Sequence, residues 1–127
     1  MPRYLISFNA RAMDHIPEED MPSVAAAAHA VIQEALSAGV YIFSGGLENQ
    51  RASIVGSDGM VTEGPYPEAI GGATIVDVSA HDEALEWAGK IAVACRCPQE
   101  VRAFMQDPEL AQMLRQVETP RRPPGDV

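Results

Sequence analysis

At 127 residues with 46% hydrophobic content, the chain is long enough for one domain with its own core and short for two. A net charge of −9 excludes the clustered cations that binding to a nucleic-acid backbone requires. No apolar run is long enough to span a bilayer and Met1 to Ser7 carries no secretory pattern, so a cytoplasmic protein that binds neither nucleic acid nor membrane is expected.

Taken in order, Pro2 to Asn9 alternates Tyr4, Ile6 and Phe8 with Leu5 and Ser7, which predicts a strand, apolar on both sides and so central in its sheet. Ala10 to Asp20 breaks the pattern with charge and Pro17. Asp20 is placed to cap a helix and Pro22 suits its first turn. That helix, Met21 to Ala38, has an apolar stripe of Val24, Ala28, Val31, Ile32, Ala35 and Leu36 and stops at Gly39. Ala25 to Ala28 permit close packing. The stripe's centre lies about 90° from His29, which puts this histidine at the edge of the buried face, where it can line a cleft.

Val40 to Ser44 reads as a short strand ended by Gly45-Gly46, with Ser44 a candidate ligand contact at its close. Arg51 to Gly56 and Met60 to Glu63 flank Ser57-Asp58-Gly59, a hairpin signal. Arg51, at the hairpin base, can neutralise an anionic ligand or sit opposite Glu63, the surface pair being the commoner arrangement. Pro65 and Pro67 stiffen a loop that carries Glu63, Tyr66 and Glu68, and a held loop of acids and a phenol is a natural place for a site. Gly71-Gly72 allows a close backbone approach before the apolar strand Ala73 to Val78.

Ser79 and Asp82 have capping-box spacing, so His81 decorates a helix start, and Ala84, Trp87, Ala88 and Ile91 recur at helical spacing as packing residues. Cys95 and Cys97, the only cysteines, fall on one face if extended, and their spacing disfavours a mutual disulfide. With no second thiol pair or close histidine pair they make no zinc site, so reduced, partly buried thiols and no metal are expected. Glu100 to Phe104 reads as the last strand, and Asp107-Pro108-Glu109 opens a short helix whose stripe of Leu110, Met113, Leu114 and Val117 must dock on something. The proline-rich residues 119–127 are expected to be a disordered tail behind a domain of residues 1–118.

The order βαβ(ββ)βαβ predicts an α+β sandwich of the ferredoxin-like kind, an antiparallel sheet with two helices on one face. The other face needs a cover, and a second copy of the chain packed sheet to sheet supplies one.

Glu63-Gly64-Pro65-Tyr66-Pro67-Glu68-Ala69, followed by Gly71-Gly72 and its strand, resembles the DGPF-type signature of the YCII-related proteins. The likeness extends through Glu83-Ala84-Leu85-Glu86-Trp87-Ala88 to Glu100-Val101-Arg102. Glu63 stands where that family usually has Asp, and the short lysine-bearing insert usual between Glu68 and Gly71 is missing. The spacing from His29 to Gly46 is similar to that of the branch whose first-helix histidine is the suspected catalytic group, working with an acid; there the turn glycine is followed by proline, here by Leu47. The resemblance implies a dimeric α+β barrel and hence a homodimer.

Two functions are open at this point. In the first, a small-molecule-binding protein or enzyme without cofactor or metal, His29 is the acid or base, its acidic partner matched to no position; Glu63 is a second catalytic candidate that with Tyr66 and Glu68 orients the substrate, and Ser44 and Arg51 are further ligand contacts. The resemblance supports this through a YCII-related type linked to chloride elimination from an aromatic ring. In the second, the chain is a non-catalytic partner or regulator, since DGPF-type proteins are often encoded beside alternative sigma factors. An enclosed pocket around His29 and a carboxylate favours the first; an exposed apolar patch, above all on the terminal helix, favours the second.

Overall fold

The computed structural model describes residues 2–48, 52–64 and 69–117. Among these residues, six strands and three α-helices follow one another as β1 (Arg3–Asn9), α1 (Met21–Ser37), β2 (Tyr41–Gly46), β3 (Ala52–Val55), β4 (Val61–Gly64), β5 (Ile70–Asp77), α2 (His81–Cys95), β6 (Glu100–Ala103) and α3 (Pro108–Val117), with one 3₁₀ turn at Glu18–Asp20. The main sheet is antiparallel in the order β2-β5-β1-β6, and β3 with β4 forms a separate two-stranded sheet. With that hairpin set aside, the order is that of a ferredoxin-like α+β sandwich, and the four-stranded sheet is open rather than closed into a barrel.

β1 sits between β5 and β6, as its two-sided apolar character requires. Strand alternation sends Tyr4 and Ile6, with Val76 of β5, toward the helices, where Val31, Val78, Ala84, Ala88 and Ile91 complete the core. Ile6, Val76 and Val78 are fully buried, and each contributes roughly 1.5–3 kcal/mol relative to exposure. α1 packs beside α2, whose small side chains Ala84, Ala88 and Ala94 are buried. The alanine run on α1 does less than its composition suggests, because only Ala28 packs on the core while Ala25, Ala26 and Ala27 are exposed. Two ion pairs between exposed side chains tie the helical layer, Lys90 to Glu34 at 3.0 Å and Arg96 to Asp20 at 3.1 Å, and neither is worth more than about 1 kcal/mol.

Several local expectations are corrected. Asp20 stands at the N-cap of α1 but makes no side-chain cap bond; the preceding 3₁₀ turn holds it in helical backbone, and its carboxylate turns to Arg96. Ser79 and Asp82 form no capping box, since Ala80 is the N-cap of α2 and the Ser79 hydroxyl instead donates to the Glu83 carboxylate. β2 runs on past Ser44 through Gly45 and ends at Gly46, the two glycines pairing with Ala73 and Gly72. Cys95 is the last residue of α2 rather than part of a strand; Arg96 follows in left-handed backbone, φ 57°, and Cys97 lies beyond the turn.

The close approach at Gly71-Gly72 is real, and its main partner is a ring. A Cβ on Gly72 would lie 2.6 Å from the Phe8 ring and one on Gly71 2.8 Å from the Ala10 Cα. The hairpin turn forms as its Asp-Gly signal predicts: Gly59 has φ +83°, and the Asp58 carboxylate accepts the Met60 N–H at 2.9 Å.

Candidate functional site

His29 lies in the middle of α1 and is exposed. The reason is rotational. The residues of α1 that pack are Val24, Ala28, Val31 and Ala35, while Leu36 is exposed and Ile32 only half-buried, so the true stripe centre is about 130° from His29. Glu63 lies on β4 opposite Ser53, exposed on the separate hairpin. Ser44 lies near the end of β2, half-buried, its hydroxyl 2.8 Å from the Tyr41 hydroxyl, with either able to donate. Arg51, Tyr66 and Glu68 lie outside the described residues. Of the proposed constellation, then, His29, Ser44 and Glu63 can be placed, and no hydrogen bond or ion pair joins any two of them. Nor do three His, Cys, Asp or Glu side chains gather as a metal-holding group among the described residues.

A different part of the molecule brings polar and apolar groups around a hollow. The face of the sheet away from α1 and α2 carries Leu5, Ile75 and Phe43, with Arg102 directly opposite Leu5 in the β1–β6 register. The Phe104 N–H bonds the Arg3 carbonyl at 2.9 Å, which carries the β6 register one step further and puts Phe104 on the side of Arg102. The chain then turns through Met105 and Gln106 into α3. The result is a groove of about 670 Å³ lined by Leu5, Arg102, Phe104, Met105, Gln106 and Leu110, together with Ala103, Asp107 and Pro108. That volume lies within the usual range for small-molecule sites. It includes none of His29, Ser44 and Glu63.

Charge is unevenly placed in this groove. The Arg102 side chain makes no hydrogen bond or ion pair among the described residues, in a chain with twice as many acids as bases. The acid among the described lining residues, Asp107, is engaged elsewhere: its Oδ1 accepts the Leu110 N–H at 3.0 Å and thereby caps α3. The walls are apolar and open, with Phe104 47% and Met105 92% exposed. The apolar stripe of α3 continues from the groove through Met113 and Val117, both exposed, with Leu114 half-buried. The expected docking of that stripe is therefore absent within the chain's described residues.

Trp87 is half-buried against the core, with the Lys90 ammonium 4.8 Å from its ring, so packing accounts for it. His81 begins α2 and packs its ring on Tyr4 at 5.9 Å between centroids. Cys95 and Cys97 are free and buried. Burial pushes both thiols above their ordinary range; the neighbouring Cys97 raises Cys95 further, while the Gln99 amide, donating to the Cys97 sulfur at 3.4 Å, works the other way. Such thiols are poor nucleophiles.

The groove was not foreseen from the sequence, although one signal for it was present. Period-two alternation places Leu5 on one side of its strand and Arg102 with Phe104 on one side of theirs. No protein-family model matches the chain, and no curated protein matches its sequence closely enough to count as a relative.

Proposed function

We propose that the chain is a small-molecule-binding protein that takes its ligand in the groove between the open sheet face and α3, and that it works there without acid–base chemistry from His29. The observation that carries this reading is the groove itself, where Leu5, Phe104, Met105 and Leu110 supply apolar contact and Arg102 an uncommitted polar group. The exposed position of His29 and its lack of a partner give the general acid–base reading no support, and Glu63 gives it none from the hairpin. A thermal-shift screen of small acids, phenols and their neutral analogues tests the proposal. At least one class should stabilise the wild type and His29→Ala equally and leave Leu110→Asp unchanged in melting temperature. Stabilisation lost in His29→Ala and kept in Leu110→Asp would return the site to α1.

A second reading, association with another protein, is favoured by a specific observation. Phe43, 66% exposed, joins the α3 stripe in leaving a large apolar surface open. The simplest cover is a second copy of the chain, sheet face to sheet face, which is also what the resemblance to the YCII-related proteins implies. A regulatory role beside a transcription factor, also implied by that resemblance, would need the same surface. Sedimentation at micromolar concentration separates the possibilities: a dimer that Phe43→Glu dissociates supports self-association, and a monomer at all concentrations refutes it.

A further inference from the structure

From the charge and shape of the groove we infer that its ligand is a small organic acid with an apolar body, a monocarboxylate whose head pairs with Arg102 and whose tail lies along Leu5, Phe104, Met105 and Leu110. The inference rests on the ligand-binding reading above and adds the chemical class to it.

A guanidinium presents a planar fork of N–H donors that a carboxylate meets with two parallel bonds. Arg102 has that fork free, and it stands beside Leu5 and Phe104, whose apolar surface a ligand's body can cover. The rest of the lining narrows the class. No second Lys or Arg is among the described lining residues, so a phosphate or other dianion would keep a charge unmatched there. The N-terminus of α3, which could otherwise supply N–H donors to an anion, is capped by Asp107. The Asp107 carboxylate also sets a cost on added negative charge, so one anionic group is favoured over two. The Gln106 amide is the remaining polar side chain among the described lining residues and can donate to the same head group. A neutral apolar molecule would leave Arg102 without a partner, whereas an inorganic anion would leave the walls uncovered. An amphipathic monocarboxylate satisfies both.

The decisive comparison is octanoate against 1-octanol, same in chain length and different in head group, measured by equilibrium dialysis on the full chain below micelle-forming concentrations. Octanoate should bind roughly tenfold more tightly than the alcohol, the scale of a charge-assisted hydrogen bond in a half-open groove. Arg102→Met should remove that preference while keeping alcohol binding, Arg102→Lys should keep part of it, and circular dichroism should report the same fold for all three chains. Equal binding of acid and alcohol to the wild type, or a preference that survives in Arg102→Met, overturns the assignment of the ligand class and leaves the groove as a binding site. Failure of both compounds to bind overturns the groove reading together with the inference.

Discussion

Replacing Gly72 with alanine tests how tightly the sheet is built around the Phe8 ring. The new methyl would stand 2.6 Å from Cε1 and Cζ of Phe8 and 3.0 Å from the Gly45 carbonyl oxygen. Gly72 does not have positive φ, so the backbone itself accepts alanine and the effect is one of space. Two terms oppose each other. Loss of chain freedom in the unfolded state favours alanine by about 0.4–1 kcal/mol, and overpacking costs about 1–3 kcal/mol. Phe8 is packed against the core and the carbonyl belongs to the paired strand β2, so neither can move away freely, and the overpacking term should win. The net loss is about 1–2 kcal/mol, which for a chain of this size lowers the melting temperature by roughly 3–10 °C. Urea unfolding followed by Trp87 fluorescence gives the free energy. Repeating it in a Phe8→Leu background should recover about 1 kcal/mol of the loss, because the clash has lost its partner. A Gly72→Ala chain as stable as the wild type, or one that pays the same cost without the Phe8 ring, would refute the reasoning.

Gly89, exposed in the middle of α2, has nothing within 4 Å of the position a Cβ would take, so Gly89→Ala should stabilise the chain by about 0.5–1 kcal/mol; a loss would mean that this face of α2 is covered in solution. The two thiols give a pH dependence of definite sign. Their folded values are raised, so the unfolded chain loses its protons first as pH rises, and the stability they add is full below the ordinary thiol value and is lost through the folded values. Unfolding midpoints should therefore fall above about pH 8.5, and fall less in the Cys95→Ala, Cys97→Ala double variant; identical alkaline profiles would contradict the burial argument. For the same reason, native protein should react with iodoacetamide far more slowly than urea-unfolded protein, and equal rates would count against it.

Much of the fold could be read from the chain because period and punctuation agreed. Alternation in Pro2 to Asn9, the Asp-Gly turn between two apolar runs and the recurrence of Ala84, Ala88 and Ile91 each point to one structure, and each forms. The misreadings were of another kind, where two local solutions were close in energy. Ser79 has a carboxylate three residues on and another four residues on, and spacing alone does not choose Glu83 over Asp82. Asp20 could cap a helix or reach a distant arginine, and Arg96 is seventy-six residues away in the chain. Periodicity alone counts Ile32 and Leu36 into the α1 stripe, whereas tertiary packing centres it on Val24, Val31 and Ala35 and so turns His29 outward. The groove was harder still, since it needs β6 laid beside β1 in a register that brings Arg102 opposite Leu5, and no local pattern states which strands will be neighbours.

Backbone amide chemical-shift mapping on ¹⁵N-labelled protein, with octanoate titrated in, tests the location of the site most directly. The shifts should concentrate at Leu5, at Arg102 to Gln106 and at Leu110, with Ala28 to Val31 and Thr62 to Gly64 unmoved. Saturable shifts centred on His29 and Ser44, with β6 and the start of α3 unaffected, would contradict it.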